Sequence, residues 1–184
     1  MIAPFLPADL TGRRGRPRSW PVRRIVEAIL YLDRKGCARR YLPADFPPWR
    51  DNGTVQRLHD GLRAQVRAAA GRNAEPTAAV IDSQSVRAAD TVPRASRGWD
   101  NAKKVNGRKR HIAMDTGGLL LAVVITVASV QDRDKGRPLL WNLHRARTKI
   151  VWIWADAGYN SRKLAAWAAA LKMTSEVVAK QARF

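Results

Sequence analysis

The chain has 184 residues with 34 Lys and Arg against 15 Asp and Glu, a net charge of +19, and 46% apolar residues. That apolar content can build a core and excludes a disordered tail, while so large a cationic excess repels itself unless an anion neutralises it. Nucleic acid fits, because its phosphates release condensed counterions to Lys and Arg; a membrane surface would need an amphipathic basic helix or an anchor, and neither pattern is present.

The N-terminal third reads as helical and arginine-rich. It has no apolar leader with a cleavage site, and its single cysteine, Cys37, cannot form an internal disulfide, so a cytoplasmic protein is predicted. Residues 12–18 (Gly-Arg-Arg-Gly-Arg-Pro-Arg) form a cationic segment suited to phosphate contact or to plain solvation. Ser19-Trp20-Pro21 is a helix start, Val22, Ile25, Ile29 and Leu32 recur at helical spacing, and Gly36 can end that helix. Leu42-Pro43 and Phe46-Pro47-Pro48-Trp49 are non-helical. Thr54 can cap a second helix with Val55, Leu58, Leu62 and Val66 on one face and Arg57, Arg63 and Arg67 on its polar side. Residues 1–75 are thus a small helical, basic region, read either as a DNA-binding arm or as a cap on the main domain.

Residues 76–184 alternate apolar runs with helical stretches. Thr77 to Asp82 is a short strand ending in a carboxylate. Arg87 to Arg108 is polar and basic, too rich in glycine and charge to pack. Arg110 to Asp115 and Leu119 to Thr126 are strands joined by the turn Thr116-Gly117-Gly118, a hairpin in which Asp115 serves the turn. The apolar stretch 119–130, interrupted by Thr126 and Ser129, is too short to cross a bilayer. Asp134 to Arg147 is a helix, Ile150 to Asp156 a second apolar strand ending in a carboxylate, Ser161 to Lys172 a helix capped by Ser161, and Ser175 to Ala179 a last strand. Apolar strands followed by helices are the pattern of parallel strands covered on both faces, so the fold class is α/β with a mixed sheet and flanking helices.

Asp82 and Asp156 carry the chemistry. Each ends an apolar strand, at the end of the sheet where α/β folds bind ligands. If the two strands are neighbours, the carboxylates repel and need a neutralising cation. Mg²⁺ takes hard oxygen ligands and is content with one or two carboxylates plus substrate phosphates; Mn²⁺ can replace it. The plainer alternative is that each aspartate caps the turn after it. His59, His111 and His144 lack metal-ligand spacing, and His111 reads as a core or sheet-face residue. No Gly-rich phosphate loop is present. The cluster Lys103, Lys104, Arg108, Lys109 and Arg110, with Trp99 just before it, is predicted to hold the DNA backbone near the carboxylates.

Ile81-Asp-Ser-Gln-Ser-Val86, Lys103-Lys-Val-Asn-Gly-Arg-Lys-Arg-His-Ile112, Asp115-Thr-Gly-Gly-Leu-Leu120, Gln131-Asp-Arg133 and Ala155-Asp-Ala-Gly-Tyr159 together resemble the bacterial insertion-sequence transposases of the DDE type. Leu42-Pro-Ala-Asp-Phe-Pro-Pro-Trp49 and Arg57-Leu-His-Asp60 resemble that family's N-terminal region. The resemblance implies a ribonuclease-H-like fold in which two aspartates and a glutamate hold two Mg²⁺ ions to cut element ends and join them to target DNA. On this chain the aspartates match Asp82 and Asp156. It further implies a homo-oligomer working on DNA in the bacterial cytoplasm, at the nucleoid.

Two departures accompany the resemblance. The family's glutamate belongs to a helix beyond the last strand, past Phe184, and Glu176, on a predicted strand, does not take its role. Trp49 passes directly to Arg50-Asp51-Asn52-Gly53, where the family has an aromatic-rich helical stretch. Both point to a truncated, internally deleted copy, unless a longer product arises by frameshifting. The alternatives are an inactive DNA-binding remnant of the same fold, or a basic RNA-binding structural protein, for which Asp82 and Asp156 would lie too far apart to share a metal.

Overall fold

The computed structural model describes residues 21–35, 43–46 and 54–178, and the chain forms two compact units, Met1–Arg72 and Asn73–Phe184. In the first unit, α1 (Val22–Lys35) starts directly after Pro21, whose fixed φ suits a first turn and whose carbonyl accepts from the Arg24 N–H at 3.0 Å. Arg23 and Arg24 both reach Glu27 one turn on. Ser19, Trp20, Gly36, Cys37, the cationic segment 12–18 and the Pro-Pro-Trp region with its apparent deletion lie outside the described residues.

Helix α2 (Thr54–Ala69) corrects the face read from its sequence. Leu58 is buried as expected, but Leu62 and Val66 are exposed, while Arg63 and Arg67 are buried. Arginine does this by laying its methylene stem along apolar surface, and the Arg63 guanidinium is held by Asp60 at 2.8 Å. Arg63 and Arg67 therefore leave the solvent-facing basic surface to their neighbours.

The second unit is one six-stranded sheet: β1 (Ala78–Arg87), β2 (Gly98–Asp100), β3 (Val105–Met114), β4 (Leu120–Val127), β5 (Trp152–Ala155) and β6 (Thr174–Val177). β3 lies between β1 on one edge and β2 with β4 on the other, all antiparallel; β1 then pairs β5, and β5 pairs β6, both parallel. α3 (Asp132–Ala146) connects β4 to β5, and α4 (Arg162–Ala170) connects β5 to β6. This is the α/β class with a mixed sheet and helices between its parallel strands that the sequence predicted.

Both helices of this unit pack on one face of the sheet, where Ala79, Ile81, Ala113, Ile153 and Ala155 meet Leu139, Leu140, Leu143, Leu164 and Ala168. The expectation of cover on both faces is not met among the described residues: on the opposite face Val123, Ile125 and Trp152 are exposed. A wholly apolar strand reads the same whether one face or two are covered, so the sequence could not separate these cases.

Two boundaries move. β1 does not stop at Asp82 but runs to Arg87, and β3 begins at Val105 rather than Arg110, so the two strands pair from Val80↔Met114 to Arg87↔Gly107. The stretch 87–108, read as too charged to pack, holds the short strand β2, a 3-10 turn at Arg94–Ser96 and the first part of β3. The charges are accommodated by alternation: Arg108 and Arg110 are exposed, and Lys109 between them is buried. Ser161 stands at the N-cap of α4 without a side-chain capping bond, so its expected capping role is not seen. Asp115 does serve its turn, accepting from the Gly117 and Leu119 N–H groups at 2.8 and 2.9 Å.

Gly107 marks the tightest point of the sheet. It pairs Arg87 of β1 and Gly98 of β2, and a Cβ there would overlap the Val86 carbonyl oxygen. Because the obstacle is main chain, it cannot swing aside. Gly107→Ala is expected to destabilise the sheet unit by roughly 1–3 kcal/mol, the usual range for overpacking; urea denaturation reads it directly, and an unchanged midpoint would contradict this account.

Candidate metal and DNA site

The parallel ladder of β1 and β5 ends at Ile81↔Ala155, and its last rung is the Asp156 N–H to the Ile81 carbonyl at 3.4 Å. Asp82 and Asp156 are the next residues on each side. Alternation turns both away from the helix-covered core: Asp82 lies between buried Ile81 and Ser83, and Asp156 follows buried Ala155. The fold thus brings together, at one register position on neighbouring strands, two carboxylates that are 74 residues apart in sequence (156 minus 82).

Both carboxylates are half-buried. Each accepts one bond from the next residue's N–H, Ser83 to Asp82 and Ala157 to Asp156, both at 2.6 Å. Asp156 in this way caps the 3-10 turn Ala157–Tyr159, as the plainer reading of that residue anticipated. For Asp82 that reading does not apply, because β1 continues past it. No cation of the chain forms a salt bridge with either one among the described residues. Hard, paired, unneutralised oxygens at a sheet end suit a divalent cation. The described residues hold no group of three or more His, Cys, Asp or Glu placed for a metal. Glu176 is exposed on β6 beside Trp154, two residues short of the level of Asp156.

The basic cluster separates into two sets. Arg108 and Arg110 are exposed on the face of the sheet that carries Asp82, since Asp82, Gln84 and Val86 pair with Ile112, Arg110 and Arg108. Arg110 donates to Gln84 at 2.8 Å and Arg108 to the Ser96 carbonyl at 3.0 Å. Lys104 is exposed and touches Asn101. Lys103 reaches back to the carbonyl and hydroxyl of Ser83, beside Asp82. Lys109 points inward, and its buried ammonium lies 3.2 Å from Asp100 and 3.1 Å from Asp132 and donates to the Val130 carbonyl at 2.9 Å.

That buried hub was not foreseen. Burial opposes ionisation of Asp100, but bonds from the Ser85 hydroxyl, the Lys103 N–H and the Lys109 ammonium outweigh it and lower its pKa to about 2. Asp132 stands in the first turn of α3, where the helix dipole favours a carboxylate, and its other oxygen abuts Gly158, at which a Cβ would come within 2.8 Å. The available signal was alternation: a strand carrying Arg108, Arg110 and Ile112 on one face must turn Lys109 and His111 to the other. His111 is indeed a core residue, bonded to Tyr159 and Thr126 at 3.1 Å each.

Comparison with known proteins agrees in family. The family described as Transposase DDE domain matches residues 73–181, and the family described as Putative transposase of IS4/5 family matches residues 1–66. No curated protein sequence matches the chain. Among solved structures, the chain is similar to the simian T-cell lymphotropic virus intasome (TM-score 0.40, 12% identity, 82% of this chain and 51% of that one). It is also similar to the Mos1 transposase paired-end complex (0.38, 11%, 89% and 60%) and the Drosophila P element transposase strand transfer complex (0.40, 15%, 96% and 46%). The chain therefore spans about half the length of these relatives. With the match to residues 73–181 taking in every strand of the sheet and both aspartates, the chain belongs to the DDE transposase domain family.

Proposed function

We propose that this chain acts on DNA as a transposase, with Asp82 and Asp156 providing two carboxylate ligands for Mg²⁺ or Mn²⁺ during cleavage and strand transfer at the ends of a mobile element. The observation that carries this reading is the pair itself: two half-buried carboxylates at one register position, each bonded only to the next N–H among the bonds described. Bound there, the metal would supply an activated water and a counter-charge for the leaving oxygen. The chain's own residues hold and orient. Asp82, inside β1, and Asp156, just past β5, present oxygens from the level at which the β1–β5 ladder ends, and Arg108, Arg110 and Lys104 offer exposed cations to backbone phosphates. The N-terminal unit with α1 and α2 is assigned to DNA contact, and the working form to a homo-oligomer on DNA at the nucleoid.

The test is a nicking assay on supercoiled DNA with Mg²⁺ or Mn²⁺, using the whole chain with Asp82→Asn and Asp156→Asn as controls. Metal-dependent nicking lost in both variants is the expected result; nicking equal in all three proteins sinks the reading. A second reading, a DNA-binding remnant without catalysis, is favoured by the absence of a third metal-placed carboxylate among the described residues. It predicts DNA binding without nicking.

The phosphate role has its own measurement. If Arg108 and Arg110 each neutralise one phosphate, Arg108→Gln and Arg110→Gln should each lower the slope of log affinity against log salt by about 0.9. A weaker affinity with an unchanged slope would remove them from the interface.

A further inference from the structure

We propose that Tyr159 is a positioning residue that locks the main chains at Asp82 and Asp156 to one another, as the end of a buried hydrogen-bond chain running from Thr126 through His111; the functional consequence rests on the metal-site reading above. Two bonds from the one residue carry this. The Tyr159 N–H donates to the Asp156 carbonyl at 2.9 Å, closing the 3-10 turn. Its phenol then crosses to β1 and donates to the Asp82 carbonyl at 3.1 Å, a contact between residues 77 apart in sequence. The β1–β5 ladder has just ended with a 3.4 Å rung, so the phenol takes over where main-chain pairing stops.

At the phenol the direction of the bonds is fixed. A carbonyl can only accept, so the Tyr159 hydroxyl gives its proton to Asp82 and must accept from His111, whose Nδ1 lies 3.1 Å away. Burial holds His111 below its ordinary pKa, and its Nε2 lies 3.1 Å from the Thr126 hydroxyl, which also donates to the Val127 carbonyl at 3.0 Å. Gly158 lets the turn sit against Asp132, since any Cβ there would meet that carboxylate. Tyr159 itself is 1% exposed, which leaves its ring no room to swing away from Asp82.

A shared ion tests such a lock because Mg²⁺ demands near-ideal octahedral geometry. Tyr159→Phe keeps the ring and removes the hydroxyl's two bonds, to the Asp82 carbonyl and to His111. In the whole chain, amide exchange should rise about tenfold or more in segments 82–84 and 156–160 relative to α3, since local opening there loses its tie. Mn²⁺ affinity, read by titration calorimetry, should fall by about 10–100-fold, the range for outer residues that orient metal ligands. Thr126→Val, which cuts the far end without touching the turn, should shift both readouts in the same direction but less. Unchanged exchange in both segments overturns the lock. Raised exchange with wild-type Mn²⁺ affinity overturns the positioning role and leaves Tyr159 merely structural. If Asp82→Asn binds Mn²⁺ as wild type does, the metal-site reading fails, and the exchange measurement alone upholds or overturns the lock.

Discussion

Lys109→Met is expected to destabilise the sheet unit by about 3–5 kcal/mol at pH 7, the loss found when one member of a buried ionic group is removed. Methionine fills most of the volume, so the cost is electrostatic: Asp100 and Asp132 are left facing one another across the vacated ammonium. The pH dependence should weaken. In the wild type, Asp100 has a folded pKa of about 2 against 3.8 unfolded, so its stabilisation is present above pH 4 and is lost as pH falls toward 2. Without Lys109, Asp100 keeps its bonds from the Ser85 hydroxyl and the Lys103 N–H but loses the ammonium, so its folded pKa should rise from about 2 back toward its unfolded value. The part of the deficit that comes from Asp100 is then present at neutral pH and fades once pH falls below the unfolded value. The deficit of Lys109→Met should therefore be smaller at pH 2.5 than at pH 7, and Asp100→Asn or Asp132→Asn in the same chain should restore part of it. Urea denaturation at the two pH values decides; a deficit below about 1 kcal/mol at pH 7 would mean that the hub is solvated like a surface pair.

The hub also shows where sequence reading reaches and where it stops. Five of the six strands, the hairpin turn at Asp115 and the helices were legible because each depends on local pattern: apolar runs, Gly-Gly, helical spacing. The juxtapositions of Asp82 with Asp156, across a strand register, and of Lys109 with Asp132, at the start of α3, were not, because partners 74 and 23 residues apart leave no local trace (156 minus 82, and 132 minus 109). Lys109 was grouped with Arg108 and Arg110 as one cationic patch because a loop was expected there. Once residues 105–114 form a strand, the period of two separates them. Leu62 and Val66 misled for the opposite reason: helical spacing identified a stripe, but the buried stripe of α2 runs through Arg63 and Arg67.

Asp82→Asn should make the metal-free protein more stable while abolishing its response to Mn²⁺. Neighbouring strands lie about 5 Å apart, and two carboxylates at that spacing repel by between about 1 and 3 kcal/mol, depending on how much water screens them. Asparagine keeps the oxygen that accepts from the Ser83 N–H, so the substitution removes charge and little else. Mn²⁺ has the converse effect on the wild type: at a hundredfold excess over Kd a bound ion should add about 2.7 kcal/mol of stability, and to Asp82→Asn almost none. Asp156→Asn should behave alike, because its capping bond to the Ala157 N–H also survives. Denaturation of the three proteins with and without Mn²⁺ gives both quantities in one experiment. If Asp82→Asn is less stable than wild type without metal, the carboxylate is held by contacts that favour its charge, and the pair is a structural feature of the strand ends. If it is more stable and unresponsive to Mn²⁺, two like charges are being kept together at a cost in folding stability, which is what a site built to receive a cation requires.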